Sequence, residues 1–129
     1  MKGEVFLVHW NESQAEEYAE ELRSDGWKVE VQTEDGGRAF KFTRGNPPDV
    51  VVVHLSDKPS HGREVAHTLR QAKATRHLPI VFVDGEEEAV QKTKAKVPDA
   101  VFTTSAELRK VLGTFSKSGD PEWGPRADK

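Results

Sequence analysis

Short apolar runs alternate with longer polar segments along this chain. Four of the runs are uninterrupted, at residues 5–8, 50–53, 80–83 and 100–102. Uninterrupted runs of this length are typical of strands covered on both faces of a parallel sheet. A fifth segment, residues 27–32, alternates apolar and polar side chains. This alternation predicts a strand with one more exposed face, at an edge of the sheet.

Helical patterns lie between these predicted strands. The first helix begins at a capping box formed by Asn11 and Gln14, and the fifth begins at a second capping box, Thr104 with Glu107. The other three helices are predicted over residues 37–44, around 65–72 and over 86–96. Because strands and helices alternate, the pattern predicts an α/β fold: a doubly wound, five-stranded parallel sheet with helices on both faces.

Length and composition narrow the class of protein. A chain of 129 residues favours one domain, which we expect over residues 1–115. Residues 116–129 hold two prolines and two glycines without periodicity, and predict a disordered tail or the start of a linker to an output domain. The net charge of −3 argues against nucleic-acid binding.

Cysteine and apolar content exclude further classes. The chain has no cysteine, which excludes disulfides, thiolate metal sites and a cysteine nucleophile, and fits a cytoplasmic location. Its uninterrupted aliphatic runs do not exceed four residues, so no membrane segment is predicted. No catalytic motif is recognisable. The sequence therefore predicts neither an enzyme nor a bound cofactor.

Several motifs together resemble the receiver domain of two-component response regulators, over residues 4–115. They are the run 48–53 entering the third strand, Pro59 and Gly62 before the third helix, Leu69-Arg70 within that helix, and the run 78–81 opening the fourth strand. The resemblance implies a flavodoxin-like sheet of order 2-1-3-4-5. In such sheets the functional crevice lies at the carboxyl ends of the strands.

The resemblance also implies a phosphorylation chemistry that this sequence lacks. In receiver domains an aspartate ending the third strand accepts the phosphoryl group, and an acidic pair ending the first strand holds Mg²⁺. A hydroxyl ending the fourth strand and a lysine ending the fifth bind the phosphoryl oxygens. The matching positions here, in chain order, are His9 and Trp10 for the acidic pair, His54, Asp84 and Thr104.

These replacements predict a degenerate receiver, or pseudo-receiver, that acts without phosphorylation as a protein-interaction module in bacterial signalling. Asp57, in the loop after His54, is a displaced carboxylate that we do not favour as an acceptor. By resemblance, the partner surface is transferred to the fourth helix, fifth strand and fifth helix, residues 88–112, which is also a candidate homodimer surface. Its predicted contacts are Ala89, Val90, Lys92, Val101 (the family's aromatic switch position), Arg109 and Lys110.

An alternative function uses the same crevice. His9, His54 and Asp84 are expected to end three adjacent strands, with His61 nearby, and two imidazoles with a carboxylate can hold a transition metal or small ligand or act as a base with its orienting acid. The other interpretation is structural: Asp84 accepts a hydrogen bond from an imidazole, and Thr104 caps the last helix. A His9–Asp84 pair would make stability depend on pH near 6.

Overall fold

Five parallel strands form one sheet in the described part of the chain, with the order β2-β1-β3-β4-β5. The structure is a computed structural model that describes residues 2–33, 47–56 and 58–116. The strands are Gly3–Val8 (β1), Trp27–Gln32 (β2), Val50–His54 (β3), Ile80–Val83 (β4) and Val101–Thr103 (β5). This arrangement confirms the predicted flavodoxin-like sheet and its order.

The burial of the strands follows from their places in the sheet. Strand β3 lies between β1 and β4, and its five residues are all buried because helices cover both faces. Strand β2 lies at an edge, where Trp27 is buried and Lys28 is exposed, as its alternating pattern predicts.

Four α-helices lie within the described residues. They are Glu12–Ser24 (α1), Pro59–Gln71 (α2), Glu87–Lys96 (α3) and Leu108–Gly113 (α4), and a 3₁₀ turn, Ser105–Glu107, precedes α4. The predicted fourth and fifth helices correspond to α3 and α4. The helix predicted over 37–44 and residues 117–129 of the predicted tail lie outside the described residues. None of the helices described is long and apolar enough to cross a membrane.

The core has two layers, one on each face of the sheet. On one face, Val65 and Leu69 of α2 pack against strand residues such as Phe82. On the other face, Leu22 of α1 and Leu112 of α4 pack against the alternate strand residues. The helices therefore cover both faces as predicted, and the carboxyl ends of the strands remain as the edge where polar side chains collect.

Candidate functional site

The predicted crevice residues lie at the carboxyl edge of the sheet. His54 is the last residue of β3, and His9 and Asp84 follow β1 and β4 directly. The backbone N–H of His9 donates to the carbonyl of Gln32 at 3.1 Å, which extends the pairing of β1 with β2 by one residue. Because β1, β3 and β4 are neighbours, their last side chains meet at one edge.

A stack of three rings fills the centre of this edge. The rings of His9 and His54 lie 4.5 Å apart with an interplanar angle of 30°. The centre of the Tyr18 ring, on α1, lies 4.3 Å from the centre of the His54 ring and 5.8 Å from that of His9. The two histidines are 0% and 1% exposed. No local signal in the sequence connects Tyr18, in the middle of α1, with the histidines.

His54 is a neutral side chain in this stack. Within the described residues neither of its ring nitrogens has a hydrogen-bond partner. Burial, together with the neighbouring His9, lowers the pKa of His54 from 6.5 to about 4, against an opposing effect of Asp84. A buried group without a charged partner favours its neutral form, so His54 packs as an aromatic ring at neutral pH.

His9 is held by the start of α1. The backbone N–H of Asn11 donates to Nδ1 of His9 at 3.1 Å, so the neutral ring carries its proton on Nε2. The side chain of Asn11 accepts from the N–H of Gln14, also at 3.1 Å, which confirms one half of the predicted capping box. The other half was wrong, because His9 rather than the Gln14 side chain accepts from Asn11.

Asp84 is bound by Ser105, the first residue of the 3₁₀ turn. The backbone N–H of Ser105 donates to one carboxylate oxygen at 2.9 Å, and its hydroxyl donates to the other. The hydroxyls of Ser105 and Tyr18 lie 2.9 Å apart. This role of Ser105 was not predictable from the sequence, since its partners lie 21 and 87 residues away along the chain.

Two predictions of the structural interpretation are therefore wrong. Neither imidazole donates to Asp84 in the described residues; its two carboxylate oxygens accept hydrogen bonds from Ser105 instead. Thr104 is exposed and its side chain does not cap the following turn. The unpaired N–H groups at the start of a helix need acceptors, and here the carboxylate after the neighbouring strand supplies one.

Trp10 lies beside the stack rather than in it. Its ring is partly buried and meets the ring of His61 edge-on, at 5.4 Å and 88°. His61 belongs to the first turn of α2, which approaches β3 closely at Gly62: a Cβ there would lie 2.7 Å from a methyl group of Val53. Asp57, the displaced carboxylate, lies outside the described residues.

Known proteins resemble this chain in sequence and in fold. No protein-family profile matches it. Over 93 residues, 72% of the chain, it is 30% identical to the response regulator PleD of Caulobacter vibrioides. It superposes on a putative response regulator from Chloroflexus aurantiacus with a TM-score of 0.75, at 20% identity over 89% of this chain and 98% of that one. For the chemotaxis protein CheY4 of Vibrio cholerae the TM-score is 0.73, at 20% identity over 89% and 99% of the two chains.

The chain has the receiver (CheY-like) fold of response regulators, and it resembles a response regulator in sequence. The sequence match covers 20% of the length of the curated relatives. The receiver fold explains why the strand ends meet: its parallel sheet brings the last residues of β1, β3 and β4 to one crevice.

The receiver family implies a Mg²⁺ ion at these strand ends, and the residues present do not fit one. Mg²⁺ requires oxygen ligands in octahedral geometry, whereas His9 and His54 present imidazoles packed against each other. Both carboxylate oxygens of Asp84 accept hydrogen bonds from Ser105. Among residues 2–33, 47–56 and 58–116, no three histidine or acidic side chains are grouped to hold a metal. The described geometry therefore does not favour the metal-site alternative at His9, His54 and Asp84.

The predicted partner surface begins on α3 and β5 of this receiver fold. Ala89 and Val90 are partly buried, and Val90 packs against the core. Lys92 is exposed and forms an ion pair with Glu88. Val101 is 38% exposed, the one large hydrophobic side chain in the described residues with such exposure.

The two basic residues predicted on the last helix point to different neighbours. Lys110 is exposed and lies 3.8 Å from Glu107 within the same segment. Arg109 instead reaches Asp25 at the end of α1, at 2.7 Å. Structurally, Arg109 belongs with α1, so the structure does not place all six predicted contacts on one patch.

Proposed function

We propose that this receiver domain is a pseudo-receiver, which acts without phosphorylation and without catalytic activity of its own. The observation that carries the proposal is His54, a buried and neutral imidazole at the position where the family has its acceptor aspartate. Phosphoryl transfer to a receiver requires a carboxylate nucleophile and a metal that neutralises the phosphoryl charge. The described strand ends offer neither a free carboxylate nor a suitable set of metal ligands.

The role that remains for such a domain is protein binding in bacterial-type signalling, in the cytoplasm. The surface we assign to it is formed by α3 and β5, with Val101 as its apolar centre and Lys92 at its border. Lys110 extends this surface toward α4. A second copy of the chain is one candidate partner, since β5 is an edge strand whose outer side pairs with no other strand of the described residues.

Phosphorylation can be tested directly on the whole chain. We expect no change in the ¹⁵N amide spectrum or the intact mass after incubation with Mg²⁺ and either acetyl phosphate or beryllofluoride. A receiver domain with an intact acidic pocket, treated in parallel, is the positive control. A stoichiometric spectral shift or the mass gain of one phosphoryl group would overturn the proposal. A gain that disappears in Asp57→Asn would identify the displaced carboxylate as the acceptor.

Self-association can be measured by sedimentation over a range of concentrations. If β5 forms the contact, the Val101→Glu variant should remain a monomer where the wild type dimerises. The control is Lys28→Glu, an exposed substitution on β2 at the opposite edge of the sheet. A wild type that is monomeric at every concentration would exclude the second copy as partner.

A further inference from the structure

Three segments that are distant in sequence are joined by one chain of hydrogen bonds beside the ring stack. A carboxylate only accepts, so the hydroxyl proton of Ser105 goes to Asp84. The hydroxyl of Tyr18, 2.9 Å from that of Ser105, must then be the donor to it. The direction is therefore Tyr18 to Ser105 to Asp84. It connects the middle of α1, the start of the 3₁₀ turn after β5, and the link between β4 and α3, residues 84–86.

The series of hydrogen bonds ends at Asp84 in the β4–α3 link, where the backbone conformation is unusual. Asp84 has a φ of 60°, in the left-handed region that few residues other than glycine adopt, although aspartate does so more often than most. Gly85 follows with a φ of 101°, and a Cβ there would lie 2.7 Å from the Cβ of Leu55. The backbone N–H of Asp84 also donates to the carbonyl of Thr103 at 3.0 Å. The two hydrogen bonds from Ser105 to the carboxylate of Asp84 connect this link to the 3₁₀ turn after β5.

We infer that the Tyr18–Ser105–Asp84 chain is a conformational lock that holds the β4–α3 link and the start of α4 in one arrangement relative to α1. The inference rests on the proposed function, because it states how the surface on α3 and β5 is kept in a single conformation when no phosphoryl group arrives. The lock also contacts His54, the residue at the family's acceptor position, because the ring centres of Tyr18 and His54 lie 4.3 Å apart.

Variants that each remove one hydroxyl group from this series of hydrogen bonds distinguish the lock from ordinary packing. Tyr18→Phe keeps the ring against His54 and removes only the hydroxyl. Ser105→Ala removes the central hydroxyl and keeps the backbone N–H that donates to Asp84. Thr104→Ala is the matched control, because it changes the adjacent, exposed residue, whose side chain makes no cap.

The experiment is ¹⁵N relaxation dispersion on the full chain, which detects exchange between conformations on the microsecond-to-millisecond scale. We expect no exchange at residues 84–88 in the wild type and in Thr104→Ala. In Tyr18→Phe and Ser105→Ala, we expect exchange with a minor state of about 1–10% at the same residues. Exchange that is absent from both variants, or equal in the wild type, would overturn the lock.

A double-mutant cycle keeps the inference testable if the dispersion variants prove poorly soluble. If the chain acts as a unit, Tyr18→Phe should shift the urea midpoint less in the Ser105→Ala background than in the wild type. Fully additive shifts would count against the lock. These outcomes are distinct from those of the phosphorylation test: a wild type modified by acetyl phosphate refutes the proposed function, whereas the lock is measured on unmodified protein.

Discussion

Acidification should destabilise this domain through His54. Its imidazole is neutral in the folded protein, and within the described residues nothing bonds to either nitrogen. The titratable groups that face it are His9 from β1, Tyr18 from α1 and Asp84 after β4. Of these, only Asp84 favours the imidazolium, and its oxygens are already bonded to Ser105.

The pKa values set the sign and the window of the effect. The pKa of His54 is about 4 in the folded protein against 6.5 for the free group, so the unfolded chain binds the proton more tightly. Above pH 6.5 the histidine costs no stability, and as the pH falls from 6.5 toward 4 the free energy of unfolding decreases. At 1.36 kcal/mol per pKa unit, the loss is about 2 kcal/mol at pH 5 and about 3 kcal/mol below pH 4.

The assay is urea unfolding at a series of pH values from 7.5 to 4.5. The variant His54→Phe keeps an aromatic ring in the stack and cannot titrate, so its free energy of unfolding should decrease less than that of the wild type. The comparison cancels the contribution of carboxylates, which also titrate in this range. His77→Gln, at an exposed position, should follow the wild type.

The difference between the two curves is the decisive quantity. Repacking around phenylalanine shifts the stability of His54→Phe by an amount that does not depend on pH. Only the difference between the two proteins in how the free energy of unfolding changes with pH therefore reports on the protonation of His54. If wild type and His54→Phe lose stability in parallel from pH 7.5 to 4.5, His54 is not the neutral, unpaired group described here.

Three further changes test the local structure by urea unfolding. Asn11→Ala removes the N-cap acceptor of α1 and should cost about 1 kcal/mol; no loss would mean that the cap is not formed. Gly85→Ala places a Cβ 2.7 Å from that of Leu55 at a φ of 101° and should cost about 2 kcal/mol or more, and a neutral result would contradict the backbone of the β4–α3 link. Asp25→Asn weakens the ion pairs of Asp25 with Arg109 at 2.7 Å and with Lys2 at 3.2 Å and should cost about 1 kcal/mol; the loss should be smaller in an Arg109→Ala background if the Arg109 pair contributes.

The fold was predictable because its signals are local. The run 50–53 specifies a buried central strand by itself, and the alternation over 27–32 specifies an edge strand. Asn11 marks the start of α1 through a partner three residues away. Each of these patterns is complete within one element, so it can be interpreted before the chain is folded.

The candidate site was predictable only in part. Because parallel strands end at one edge, the strand order was enough to bring His9, His54 and Asp84 to the same crevice. The partner of Asp84 was not predictable, since a carboxylate accepts equally well from an imidazole, a hydroxyl or a backbone N–H. The sequence favoured the imidazole, and the structure has Ser105.

What the sequence determined by itself is the order of strands and helices along the chain, and the presence of His9, Trp10 and His54 at the positions where the resemblance implies acidic residues. Periodicity and residue identity need no neighbour from elsewhere in the chain. What only the tertiary structure decided is the bonding between elements: Tyr18 with Ser105, Ser105 with Asp84, and Arg109 with Asp25 rather than with a partner surface. These contacts join residues 21 to 87 positions apart, and their geometry exists only once the sheet has set the helices and links against one another.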